Sequence, residues 1–309
     1  MGRCEFRSLR CRPVPGRSRT SSAYRSYQRH LQRHPPASSP AKEPAMSLLP
    51  GAEPYRHRGG PVGVLLCHGF TGSPQSLRPW AEDLARAGYT VGLPVLPGHG
   101  TRWQDMQLTR WEDWYAEVER ELLTLAGQCE RVFVFGLSMG GGLALRLASV
   151  HGPRIAGLVL VNPSVRSDNP ASVILPVLRH LVPSVPGVAN DIARPGADEL
   201  AYDRTPLHAA WSLARLWKDV QARLPRVTQP VLLFRSPQDH VVSAANSELV
   251  LARISSTDVT ERLCQRSYHV ATLDHDAGEI FAAAQDFIRR LAPAHAAGVT
   301  PVKSDHHQG

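Results

Sequence analysis

At 309 residues and 42% hydrophobic, the chain is long enough for one large domain or two small ones and apolar enough for a full core. Its formal net charge of +8 sits in one place: residues 1–45 hold ten Lys/Arg against two Asp/Glu, and the rest of the chain holds 25 of each. The balance therefore argues against a nucleic-acid partner for the remainder, which would need cations clustered on the folded part.

Residues 1–45 are rich in Arg, Ser and Pro and lack the apolar stretch of a secretory signal. Their composition predicts a disordered basic extension, with a start of translation at Met46 as the other plain reading. From residue 62 short apolar runs alternate with amphipathic ones. "VGVLL" (62–66) reads as a buried strand. The stretch 76–88 reads as a helix, with Leu77, Trp80, Leu84 and Ala87 on one face and Gly88 as its stop. A strand over 89–95 follows, then a helix over 111–127 carrying Trp111, Trp114, Val118, Leu122 and Leu125 on one side. "RVFVF" (131–135), a helix over 141–150 and a strand over 155–161 continue the alternation. Repeated β-α-β units with continuous apolar strands predict a mostly parallel, doubly wound sheet with helices on both faces.

The rhythm breaks at residue 164. Residues 164–227 show no convincing strand and contain an amphipathic helix over 206–224, so they are expected to form a small helical cap inserted into the sheet domain. The sheet pattern resumes with a strand at 230–234, a helix near 243–253, a strand near 257–263 and a last helix over 278–291. The expected domains are an α/β core from 46–163 and 228–293, the cap at 164–227 and a flexible tail at 294–309. No run reaches the roughly 18 apolar residues of a membrane span. Of the five cysteines, Cys4 and Cys11 fall in the basic extension, while Cys67, Cys129 and Cys264 are far apart in apolar contexts. No CxxC pair suggests zinc or redox chemistry, and buried reduced thiols, as in a cytoplasmic protein, are expected.

Gly136-Leu137-Ser138-Met139-Gly140 fits G-x-S-x-G between an apolar strand and a helix. In that setting a sharp turn lifts the serine hydroxyl above the sheet edge, and glycine two residues either side avoids a clash of Cβ with backbone. The helix that follows adds partial positive charge where an oxyanion would form. The competing reading is a glycine-rich turn that packs or binds phosphate, but no G-x-x-x-x-G-K-[ST] accompanies it. A serine nucleophile needs a base oriented by an acid, in the order Ser, Asp/Glu, His, on loops after later strands. Asp239 in "SPQDHVV" and His269 in "SYHVATLDHD" meet that order. Asp168, Asp203, Asp219, Asp274, Asp276, His240 and His275 are the competitors. The loop "HGFTGSP" after the first clear strand supplies the backbone N–H of Phe70, which with that of Met139 makes the expected oxyanion pair. His68 is expected to brace this loop, His99 to be structural or to line a cleft rim, and Trp111 and Trp114 to pack. Leu175, Val177, Leu178, Leu181 and Val182 could form an acyl-binding wall or simply pack.

"HGFTGSP", "GLSMGG", "SPQDHVV" and "SYHVATLDHD", in this order, resemble the bacterial carboxylesterase and monoacylglycerol lipase branch of the α/β-hydrolase superfamily over roughly residues 55–292. The resemblance implies an α/β-hydrolase fold and a serine hydrolase of carboxylic esters with short to medium acyl chains or of monoacylglycerols. It implies Ser138 as nucleophile, Asp239 as triad acid, His269 as base and Phe70 and Met139 as oxyanion donors, with no metal or organic cofactor. A small ester or lipid is the expected partner, and a monomer or weak homodimer the expected state. Tyr268 departs from the small residue expected before the base and is expected to narrow the pocket or add a hydroxyl to it. A thioesterase, serine aminopeptidase or acyltransferase on the same scaffold is the alternative, and a non-catalytic binding protein a more distant one.

Overall fold

A seven-stranded sheet forms the centre of the molecule, and it is built from β1 (Tyr55–His57), β2 (Val62–Cys67), β3 (Thr90–Leu93), β4 (Arg131–Leu137), β5 (Gly157–Val161), β8 (Val231–Arg235) and β9 (Val259–Leu263). The computed structural model describes residues 47–293; the basic extension 1–45 and the tail 294–309 lie outside the described residues. The strand order is β1-β3-β2-β4-β5-β8-β9, with β1 antiparallel to β3 and every other pair parallel.

The continuous apolar strands follow from two covered faces. Alternate residues of a strand point to opposite sides. Leu65, Val132, Val134, Leu158, Leu160, Val231 and Leu233 enter one core, and Val64, Leu66, Phe133, Phe135, Val159, Leu232 and Phe234 enter the other. The first core is closed by α3 (Trp111–Ala126) and α4 (Met139–His151), the second by α1 (Arg78–Arg86) and α8 (Ala277–Leu291). A four-residue helix, α2 (Trp103–Met106), precedes α3, and α7 (Ala244–Arg253) lies between β8 and β9. α3 starts where the Arg110 N–H donates to Asp113 Oδ2 at 2.9 Å, a side chain satisfying a donor that has no helical partner. α1 ends near Gly88, whose φ of 88° lets the chain turn back into β3.

Three features differ from the sequence expectations. β1 is an additional strand; its polar "YRH" has no apolar alternation, and it is fixed from a distance by Arg56, which donates to the buried Glu121 of α3 at 2.6 and 3.0 Å. β9 is exposed along its whole length, because it is the sheet edge. The segment between β5 and β8 contains not only helices α5 (Leu175–Leu181) and α6 (Leu207–Arg223) but also two strands, β6 (Ser184–Pro186) and β7 (Arg204–Pro206). They pair antiparallel, Ser184 with Pro206 and Pro186 with Arg204. Each is three residues long and ends in proline, so neither has a readable period. Their pairing depends on Arg204, whose side chain donates to Ser184 Oγ at 2.7 Å and to its carbonyl at 3.1 Å.

α6 also belongs to the first core, through Ala209, Leu213, Leu216 and Val220. Arg146 of α4 meets Asp219 of α6 at 2.5 Å and lies over the Tyr115 ring at 4.5 Å, which ties this helix to the one that follows Ser138. No helix among the described residues is long and apolar enough to cross a membrane.

Candidate active site

The carboxyl ends of β2, β4, β5, β8 and β9 share one edge of the sheet. The chain passes from β2 outward to β3 and then returns across β2 to β4, and a crevice forms at such a reversal. Ser138 stands there, between the end of β4 and the start of α4, with φ 55° and ψ −120°. A non-glycine residue rarely adopts positive φ, and the surroundings hold it there. The Ser138 N–H donates to Val161 O at 3.0 Å, and Ser138 O accepts from Gly141 and Ser164, both at 2.9 Å. A Cβ at Gly140 would lie 1.9 Å from Cys67 O, and one at Gly136 would lie 2.3 Å from Gly140 O. These contacts answer why glycine flanks the serine: α4 starts against the end of β2 with no room for a methyl group. Gly141 and Gly142 press on Pro163 and Ser164 after β5.

His269 and Asp239 are brought to the same cavity by loops after β9 and β8. His269 Nδ1 lies 2.7 Å from Asp239 Oδ2, and both side chains are buried. The other carboxylate oxygen accepts from the N–H groups of Val241 at 2.8 Å and Val242 at 2.7 Å, which fixes the plane of the acid. Burial acts to lower the pKa of His269, but the hydrogen bond and charge of Asp239, helped by Glu199 and Asp191, outweigh it and raise it. The competitors have other partners. Asp274 is buried and accepts four backbone N–H groups, and Asp276 is taken by Arg266 and Ser267. Asp219 pairs with Arg146 and Arg223; Asp168 borders the cavity but pairs with Arg166. Neither Asp203 nor His275 lines the cavity.

Phe70 and Met139 both line the cavity. As the first residue of α4, Met139 has an N–H with no intrahelical acceptor. Gly69 lies against the serine: a Cβ there would be 3.5 Å from Ser138 Cβ and 4.0 Å from its Oγ. His68 holds this loop from behind. Its Nδ1 donates to Gly69 O at 3.0 Å and its Nε2 accepts from Leu96 N at 3.1 Å. Burial pushes its pKa down to about 4, so it stays neutral in this role. His99 is buried rather than at a rim, stacks edge-on to His68 and Trp114, and is pushed by burial down to about 3.

The cavity holds about 610 Å³. The expected acyl wall divides: Leu175 and Leu178 line it, whereas Val177 and Leu181 are 67% and 75% exposed and face solvent, and Val182 does not line it. The helical period puts only one side of a seven-residue helix inward. Val185, Leu213 and Trp217 complete the apolar lining. Tyr268 does not narrow the cavity; its ring packs edge-on to His240 with centroids 4.6 Å apart.

Three neighbours of the site escaped the sequence reading. Asn162, at φ 44°, donates to Ser236 Oγ at 3.0 Å and His269 O at 2.8 Å and accepts from Ser236 N at 2.8 Å, so it ties the end of β5 to the loops after β8 and β9. Its position after a buried strand at the ligand-bearing edge was the available signal. Asp191 and Glu199, from the segment between β6 and β7, border the cavity beside Asn190. Glu199 has its pKa raised by burial, against the opposing effects of His269 and the Asn190 hydrogen bond. No local pattern marks them. Of the three described cysteines, all free, Cys67 and Cys264 are buried and Cys129 is half-buried. Among the described residues no group of three or more His, Cys, Asp or Glu is placed to hold a metal.

Comparison with known proteins adds to this geometry. A family model described as serine aminopeptidase, S33 matches residues 62–276. The chain is 44% identical over 246 residues to a thermostable monoacylglycerol lipase of Bacillus sp. (strain H-257), covering 79% of this chain and 97% of the relative. It is 24% identical over 241 residues to a carboxylesterase of Bacillus subtilis (strain 168), covering 77% and 97%. A solved structure from the metagenome-derived lipolytic enzymes LipS and LipT superposes with a TM-score of 0.77 at 41% identity, over 79% of this chain and all of that one.

Proposed function

Since this chain belongs to the serine aminopeptidase S33 family, within the α/β-hydrolase fold, we propose that it cleaves carboxylic esters of short to medium acyl chains, monoacylglycerols among them, through an acyl-enzyme on Ser138. It is an esterase or lipase-type serine hydrolase. The observation that carries the catalytic assignment is the 2.7 Å Asp239–His269 contact, opening on the same cavity as a serine held at φ 55°.

Asp239 fixes the tautomer with the proton on Nδ1, which leaves His269 Nε2 free to take the Ser138 proton as Oγ attacks the ester carbonyl. The oxyanion is met by the N–H groups of Phe70 and Met139, and the helix that starts at Met139 adds its dipole. His269 then protonates the leaving alcohol, and water, activated by the same base, releases the acid. None of these steps calls for a metal or organic cofactor. The apolar lining from α5, β6 and α6 suits an acyl chain, and the polar stretch at Asn190–Glu199 suits the hydroxyls of a glycerol.

A second reading, aminopeptidase action, has the family description and the cavity carboxylates Asp191 and Glu199 in its favour, since they could take a substrate ammonium group. The 44% identity to a lipase weighs toward the ester. The reading also includes a cytoplasmic location, supported by free thiols at Cys67, Cys129 and Cys264, and a monomer or weak homodimer, which gel filtration tests.

A panel of p-nitrophenyl esters, monoacylglycerols, acyl thioesters and amino-acid p-nitroanilides separates the substrate classes. Turnover of the butyrate ester and of monoacylglycerols is expected, with Ser138→Ala lowering kcat by roughly five orders of magnitude. Robust turnover by the alanine variant would remove the triad assignment, and p-nitroanilide hydrolysis without ester hydrolysis would install the second reading.

A further inference from the structure

The acid and the base sit on separate loops, and one carboxylate from the segment between β5 and β8 joins the two. Asp191 Oδ2 accepts the backbone N–H of His269 and that of His240, each at 3.1 Å, so it holds the base residue and the neighbour of the acid Asp239 at a single oxygen. Its Oδ1 lies 2.8 Å from His240 Nδ1, and its carbonyl accepts from Val270 N at 3.1 Å. The two bracketing residues also meet directly, in the edge-on contact of the His240 and Tyr268 rings.

The seam continues in the opposite sense. Asp274, from the base loop, accepts from Ala193 N at 2.7 Å and Arg194 N at 2.9 Å while also accepting from Tyr268 N at 2.9 Å. Residues 191–194 and 268–275 are thus stitched by carboxylates pointing each way. Asp191 and its neighbour Asn190 border the cavity that holds the substrate in the reading above.

We propose that Asp191 is a positioning residue for the Asp239–His269 pair, a clamp through which the segment between β6 and β7 sets the geometry of acid and base, with His240 and Tyr268 as its braces. The proposal rests on the triad reading. It gives Tyr268 a place: a small residue there would leave His240 without the ring it packs against. Three N–H donors share this carboxylate, and a shift of about 1 Å in a catalytic group costs on the order of a hundredfold in rate.

The experiment uses the full chain in five forms: wild type, Asp191→Ala, Asp191→Asn, His240→Ala and a control variant. His240 is 60% exposed, so its variant keeps the fold if the change at the half-buried Asp191 does not. A fluorophosphonate counts competent serines at its end point and reads serine activation by its rate; p-nitrophenyl butyrate supplies kcat and KM per counted site. Asp191→Ala is expected to lower both kcat per site and the labelling rate about ten- to a hundredfold, with KM within about threefold. Asp191→Asn, which keeps one acceptor, recovers part of the loss, and His240→Ala loses less than Asp191→Ala. Asp203→Ala, in the same segment but exposed and outside the cavity lining, serves as control and keeps wild-type kinetics. Unchanged kcat per counted site in Asp191→Ala and His240→Ala, with only a lower melting temperature, would overturn the clamp and leave the triad standing. No labelling of wild type overturns both.

Discussion

The turn at Ser138 and the strip from Asn190 to Glu199 face one cavity and are held by opposite means. At the turn, the chain is confined by contact: Gly140 leaves less than a methyl group of space between α4 and β2, and Gly136 leaves as little between β4 and α4. Along the strip, position is set by polar bonds to residues far away in sequence, Asp191 to His269 and Asp274 to Ala193 and Arg194. The first tolerates no added atom. The second tolerates changes of size but not loss of an acceptor, because its N–H donors would then be buried without partners.

Four tests bear on this contrast, taken from the largest expected effect to the smallest. Gly140→Ala places a methyl group within 1.9 Å of a backbone oxygen, so a backbone shift is unavoidable; a loss of at least about 3 kcal/mol, read by denaturant unfolding, is expected. A near-neutral result would mean that the turn is looser than its contacts indicate. Asp274→Ala strips four N–H donors of their acceptor and is expected to cost about 2–3 kcal/mol, with Asp274→Asn recovering part of it in the same unfolding assay. Equal losses in both variants would show that charge, not the acceptor count, holds the strip.

The third concerns pH. In the proposed mechanism His269 acts as base only when unprotonated, and its pKa lies above the ordinary 6.5, so kcat/KM is expected to fall as pH drops through a value above 6.5. Glu199→Gln removes one of the anions that favour the imidazolium. The acid limb of the pH profile then moves to lower pH, and a limb that stays in place would separate Glu199 from the base. The smallest effect belongs to the outer side of α5. Val177→Ser and Leu181→Ser should leave stability within about 0.5 kcal/mol and kcat/KM near wild type, while Leu178→Ser raises KM for longer acyl esters. If the outer pair matters as much as Leu178, α5 is oriented differently during turnover.

The alternation of buried strands and amphipathic helices, the turn at Ser138 and the placement of Asp239 and His269 after β8 and β9 were all legible in the sequence. Each rests on a local rule: a two-residue or 3.6-residue period, a glycine spacing, a polar residue just after a strand. Only the tertiary structure decided β1, the β6–β7 pair, the inward half of α5 and the placement of Asn162, Asp191 and Glu199. These depend on partners tens of residues away, such as Arg56 with Glu121, Arg204 with Ser184 and Asp191 with His269. A hydrogen bond between distant residues has no period along the chain, so it becomes visible only when the chain has closed on itself.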